Sequence, residues 1–234
     1  MSWTKNKLLS LLTDSVVANV KPEFEQVLLS QGERLFEPHQ KLQYVYFFEG
    51  GLSSEIAGGS GDKTIEVGCI GLEGFSGVPT VLGVDTTPHF AFMQCGGPAL
   101  RITGAALRQA MDDHPSFRDL LMKYVHVFLT QVATTALADG RYGVEQRLAR
   151  WVLMGRDRIG NELPLTHDFL ALMLGVRRPS VTDALHRLEG LHAIKAERGL
   201  ILVKDVEKLK ELAGPIYGIS EQQYDFHISP SWRF

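Results

Sequence analysis

Between Thr166 and Arg198 the chain gathers side chains suited to reading a nucleic acid. Arg177 and Arg178 carry planar guanidinium groups, and a guanidinium can bridge the O6 and N7 acceptors of one guanine. Ser180, Thr182, His186 and Arg187 add donors and acceptors nearby, and Asp183 can accept from a cytosine amino group. Pro179 offers only an apolar contact, such as one to a thymine methyl. Thr166 and His167 lie just upstream, while Arg198 stands apart downstream, where a lone arginine supplies charge to a phosphate backbone rather than sequence reading.

Positioning such groups takes a rigid scaffold, and the flanking pattern supplies one. Phe169, Leu170, Leu172 and Met173 give a first helix its apolar side, and Gly175 can close it in the left-handed conformation. Val181, Ala184, Leu185 and Leu188 fall at i, i+3, i+4 and i+7, so a second helix buries one stripe and turns the polar set outward. Pro179 sits in the first turn of that helix, where its missing N–H costs little. Periodicity alone would fit any helical hairpin of a globular core. The hairpin that follows changes the odds: Ile194 to Glu197 and Leu200 to Val203 flank Gly199, with Arg198 at the tip. Helix, turn, helix and basic-tipped hairpin in that order make a winged helix-turn-helix, whose second helix suits the major groove of double-stranded DNA.

The whole chain of 234 residues carries a net charge of −3, which excludes a bulk nucleic-acid coating protein. Its distribution is uneven: residues 141–213 hold thirteen basic against ten acidic residues, and residues 1–140 hold ten against fifteen. A mildly basic module on an acidic one fits a sequence-specific binder. Cys69 and Cys95 are too far apart for a local metal motif, so reduced, partly buried thiols are expected. The first residues lack a signal peptide's apolar core, and no uninterrupted apolar run is long enough to span a bilayer. The expectation is a soluble cytoplasmic protein with no membrane partner.

From residue 31 to residue 104 helical periodicity gives way to short alternating runs. Tyr44 to Phe48, Leu52 to Ile56, Thr64 to Val67 and Phe90 to Gln94 each end in glycine clusters, among them Gly58 to Asp62. Turn signals at this spacing predict an antiparallel barrel or roll. Before it, Val17 to Leu29 reads as weakly helical and broken near Pro22. Pro115 opens a long helix to about Ala138, with Asp112 and Asp113 just upstream and no charged residue from Val125 to Ala138. A helix without a charged face needs cover on more than one side. A symmetric partner helix is the simplest second cover, which places Leu121, Tyr124, Val125, Phe128 and Val132 at a coiled-coil-like seam of a homodimer.

The order of parts resembles the Crp/Fnr transcription regulators. It runs from a β-roll through a long helix, a hinge (Asp139 to Gly143) and a helix with Arg147-Leu-Ala-Arg-Trp151 to a winged helix-turn-helix. Leu165-Thr-His-Asp-Phe-Leu-Ala171 and Gly175-Val-Arg-Arg-Pro-Ser-Val-Thr182 carry the likeness, which covers roughly residues 25 to 210. The turn Gly71-Leu-Glu-Gly-Phe-Ser-Gly77 is similar to that of the family's ligand cassette. The resemblance implies an α+β fold in four parts. These are a cyclic-nucleotide-binding-like β-roll (residues 1–114), a dimerisation helix (115–140), a winged helix-turn-helix (141–213) and a tail (214–234). It implies a non-enzymatic homodimer on a pseudo-palindromic operator, an effector at the roll, and RNA polymerase as a further candidate partner. The effector candidates are Gly71, Glu73, Gly74, Phe75, Ser76, Thr86, Thr87 and His89.

Carried over singly, Arg178 matches the family's guanine reader, whereas Pro179 and Asp183 replace a glutamate and an arginine of the cyclic-AMP receptor pattern. The operator should therefore differ from that receptor's. The cassette departs further: from Thr64 to Leu100 there is no Lys or Arg, while Glu66, Glu73 and Asp85 are present. A buried phosphate without a counter-charge is electrostatically poor, which argues against cyclic AMP in the usual mode and leaves the effector unassigned. An iron–sulfur sensor needs about four thiolates, and two cysteines, neither in an N-terminal cluster, argue against one. Haem on His89 or Cys95, and a cupin-like metal site of His39, His89 and His114, are the alternatives of another class. A winged-helix module for protein contacts without DNA is the third. Ser76 lies in Gly74-Phe-Ser-Gly77, which only superficially matches a nucleophile elbow and reads as a structural glycine turn. The tail's aromatics, Tyr217, Tyr224, Phe226, Trp232 and Phe234, suit docking on the body or on a partner chain.

Overall fold

Glycines and short alternating runs in the first half build two four-stranded antiparallel sheets. The strands are β1 (Glu25–Leu29), β2 (Arg34–Phe36), β3 (Tyr44–Phe48), β4 (Leu52–Ala57), β5 (Ile65–Ile70), β6 (Phe75–Ser76), β7 (Phe90–Cys95) and β8 (Gly97–Thr103). One sheet runs β1-β8-β3-β6 and the other β2-β7-β4-β5. The computed structural model describes residues 3–58, 64–230 and 232–233, so most of the turn from Gly58 to Asp62, and Phe234 of the tail, lie outside the described residues. Phe47, Phe75 and Tyr124 form a chain of ring contacts through the core, with centroids 5.1 and 5.0 Å apart.

Helices frame the roll: α1 (Asp14–Val20), the four-residue α2 (Val78–Val81), α3 (Gly104–Asp113) and the 27-residue α4 (Pro115–Arg141). The weakly helical expectation over Val17 to Leu29 is corrected in its second half. Glu25–Leu29 is strand β1, drawn into the sheet by pairing with β8 and by the Arg101–Glu25 ion pair at 2.8 Å. Tertiary pairing overrides local propensity there. Helix α4 runs three residues past the expected end, which reduces the hinge to Tyr142 and Gly143.

Length and composition make α4 apolar enough to cross a membrane, unlike the reading based on uninterrupted apolar runs. Here its buried residues include Gln131, Thr134 and Thr135, and the Gln131 side chain accepts from the Cys69 amide at 2.7 Å. A polar side chain buried on a strand amide is packing against protein.

The second half consists of α5 (Val144–Ile159), β9 (Glu162–Leu163), α6 (His167–Leu174), α7 (Arg178–Gly190), β10 (Ile194–Glu197), β11 (Leu200–Val203), α8 (Val206–Ala213) and α9 (Ile219–His227). Strands β10, β11 and β9 form a small antiparallel sheet. The core of this half includes Leu52, Cys69 and Cys95 from the roll, so the two halves share packing. Both cysteines are buried free thiols, and burial pushes Cys95 up to about 11. The tail folds back on its own chain: α9 lies on α4, with Tyr124 and Tyr224 edge to face at 6.5 Å and Trp232 buried beside Tyr224.

Candidate nucleic-acid interface and effector site

Local chemistry sets the two helices of the hairpin. The Thr166 hydroxyl caps α6 by accepting from the Phe169 amide at 3.3 Å, and Gly175 ends it at φ +58°. An added Cβ at Gly175 would come 2.7 Å from Ile65, so the turn needs glycine for contact with the roll as well as for conformation. Arg177 is the N-cap residue of α7, and Pro179 lies in its first turn. Val181, Ala184, Leu185 and Leu188 are buried. Arg177, Arg178, Pro179, Asp183, His186 and Arg187 are exposed on the opposite side, and Ser180 and Thr182 are half-buried.

The wing closes against this helix. Gly199 turns at φ +75° beside Arg198, and the Ala196 amide donates to the Glu189 carboxylate at 2.8 Å, tying β10 to α7. Between wing and helices runs a groove of about 610 Å³ that gathers Thr166, His167, Arg178, His186 and Arg198. Arg177, Pro179, Ser180, Thr182, Asp183 and Arg187 do not line it. His167 Nδ1 lies 3.1 Å from the Thr182 hydroxyl, so these two residues bond each other across the helix crossing. Arg178 lies 3.6 Å from Asp168 as an exposed pair that a stronger anion can displace, and Arg187 lies 3.4 Å from the half-buried Glu145. Asp168, Glu189 and Glu197 are the groove residues that sequence reasoning missed. Asp168 was detectable as the acid in the first turn of α6, whereas the other two need the wing's position.

The structure divides the effector candidates. Gly71, Glu73, Gly74, Phe75 and Ser76 form one buried turn. Thr86 and His89 are exposed on a separate loop, where Thr87 accepts from the His39 amide through its carbonyl at 2.7 Å. The turn itself is filled by its own chain. Arg158 of α5 donates through Nε to Glu73 at 2.8 Å, with both side chains buried. A Cβ at Gly74 would overlap Tyr124, and one at Gly71 would lie 2.8 Å from Arg158. The space left among Glu73, Tyr124, Gln131, Arg158, Glu221 and Tyr224 is about 10 Å³. Ser76 is fully buried and donates to Glu55. The cation missing from the cassette is thus present, brought from α5. Burial works against its charge, and the neighbouring Glu73 and Glu221 favour it, holding Arg158 protonated.

Helix α5 is the hub of the docking. Besides Arg158, its Trp151 donates to the buried Glu66 at 2.7 Å, Arg150 donates to the Ile216 carbonyl at 2.8 Å, and Arg147 reaches both Asp139 and the Leu174 carbonyl. Among the described residues no group of three or more His, Cys, Asp or Glu gathers in a way that could hold a metal ion.

The residues expected at a dimer seam face inward. Leu121, Tyr124, Val125 and Phe128 are buried in the first core, and the half-buried Val132 packs on it. Instead the exposed positions of α4 between Met122 and Gly140 are Met122, Lys123, His126, Leu129, Ala133, Ala136, Leu137 and Gly140. The roll, with the larger surface to cover, claims the most apolar stripe of α4.

Residues 146–212 match the Crp-like helix-turn-helix domain. The whole fold is similar to that of the c-di-GMP responsive global regulator CLP from Xanthomonas campestris, at 16% identity and TM-score 0.68, covering 82% of this chain and 99% of that one. A putative transcriptional regulator of the Crp/Fnr family from Eubacterium rectale aligns at 15% identity and TM-score 0.69, covering 89% and 98%. FixK2 from Bradyrhizobium japonicum aligns at 15% identity and TM-score 0.68, covering 82% and 98%. No curated protein sequence matches the chain.

Proposed function

We propose that this chain, a Crp/Fnr-type DNA-binding transcriptional regulator by its helix-turn-helix domain and its fold, acts in the cytoplasm as a homodimer on a pseudo-palindromic operator. The observation that carries the reading is the free face of α7, where exposed Arg177, Arg178, His186 and Arg187 stand beside the groove that Arg198 of the wing borders. Arg178 is the base reader and Arg198 the phosphate contact.

The dimer forms through the exposed stripe of α4. Met122, His126, Leu129, Ala133, Ala136 and Gly140 alternate by four and three, the spacing of a coiled-coil seam. Met122 and Leu129, 43% and 55% exposed, supply apolar contact, and the small residues let two helices approach closely. The effector turn is degenerate: its carboxylate is held by Arg158 of the same chain, so a cyclic nucleotide in the usual position would have to displace an internal ion pair.

Selecting bound duplexes from a random pool tests the proposal. The expected product is two inverted half-sites spaced by one helical turn, and loss of salt dependence or of any enriched sequence would overturn it.

A further inference from the structure

Where α6 meets the roll, a cleft of about 680 Å³ opens between the two halves, away from both the recognition face and the effector turn. Its walls are unlike the polar groove beside the wing. Phe92 of β7 stacks on Phe169 of α6 with centroids 6.0 Å apart and planes 22° apart, and Phe90 and Leu172 extend the apolar wall. One cation overlooks it: Arg34, on the edge strand β2 at a register shift, lies over the Phe90 ring at 3.7 Å. Its carboxylate neighbour is Glu37 at 3.8 Å, with both side chains more than two-fifths exposed, too loose to saturate five guanidinium donors. Only one end of such a site is charged.

We propose that this cleft is a ligand site for a flat aromatic carboxylate. The ring would lie against the half-buried Phe90 and Phe169, and the carboxylate would replace Glu37 on the Arg34 guanidinium. Aromatic walls favour offset stacking, and a guanidinium takes a carboxylate in a bidentate fork. The wall is shared between β7 and α6, so an occupied site joins the roll to the first helix of the DNA-binding hairpin. Ligand binding there stands without the DNA reading; only its regulatory consequence rests on it.

The test titrates the full chain with 1-naphthoate and with the uncharged 1-naphthylmethanol by calorimetry, in the absence of DNA. Saturable one-to-one binding of 1-naphthoate is expected. Arg34→Gln, on an exposed side chain, should weaken 1-naphthoate at least tenfold and leave 1-naphthylmethanol within twofold. Phe169→Ala should weaken both. No saturable binding of 1-naphthoate at millimolar concentration, or binding that neither variant changes, would overturn the site. A parallel DNA titration with and without 1-naphthoate reads the coupling separately, so failure to bind DNA would leave the calorimetric result standing.

Discussion

Arg178 and Arg158 show what residue-scale reasoning reaches and where it stops. The exposed place of Arg178 at the start of α7 is legible because it depends on neighbours in sequence: a helix start, an apolar stripe behind it and a wing after it. Replacing it with alanine is expected to cost about 1–3 kcal/mol of discrimination at one base pair of each half-site. Equal weakening on selected and random duplexes would make it a phosphate contact instead. Arg198→Ala should do the opposite, weakening all sequences alike and lowering the salt slope by about one. Arg158 was not legible, because its partner Glu73 lies 85 positions away and belongs to a turn that reads as a ligand cassette. Removing one member of a buried pair strands the other charge, so Glu73→Ala should cost about 3–5 kcal/mol in urea unfolding. The double change Glu73→Leu with Arg158→Met should recover most of that loss, and additive losses would contradict the pairing.

At the scale of elements, the roll's strands, the long helix and the winged hairpin followed from periodicity and glycine placement. Strand β1 and helix α9 did not, since both depend on surfaces supplied by distant parts of the chain. The orientation of α4 is hidden as well: with no charged residue from Val125 to Ala138, that stretch names no outward face until the roll has chosen its stripe. If the proposed dimer forms through this stripe, the full chain sediments as a dimer and Leu129→Asp should convert it to a monomer without unfolding it. Leu121→Asp, which places a charge in the roll's core, should unfold the chain instead. If Leu129→Asp left the dimer intact, the seam would lie elsewhere.

The whole molecule is held in a docked arrangement by buried polar contacts between its halves. Glu66, under the Trp151 indole, is one of them, and burial, opposed in part by Ser54 and Trp151, raises its carboxyl from an ordinary 4.5 to about 7. The folded chain then keeps a proton that the unfolded chain has lost. That contribution is full below pH 4.5 and disappears as pH rises through 7, by about 3 kcal/mol from this group. Thermal melts should therefore show stability falling from pH 5 to pH 8, and Glu66→Gln should reduce that slope, the remainder coming in part from Glu55, which burial also raises to about 7; an unchanged slope would show that Glu66 does not contribute. The central claim is that the free face of α7 reads an inverted DNA repeat. It is tested most directly by selecting duplexes from a random pool with the full chain and with Arg178→Ala side by side. The expected result is a two-fold symmetric motif whose guanine preference at one position per half-site disappears in the variant. A motif identical for both proteins, or none for either, would contradict it.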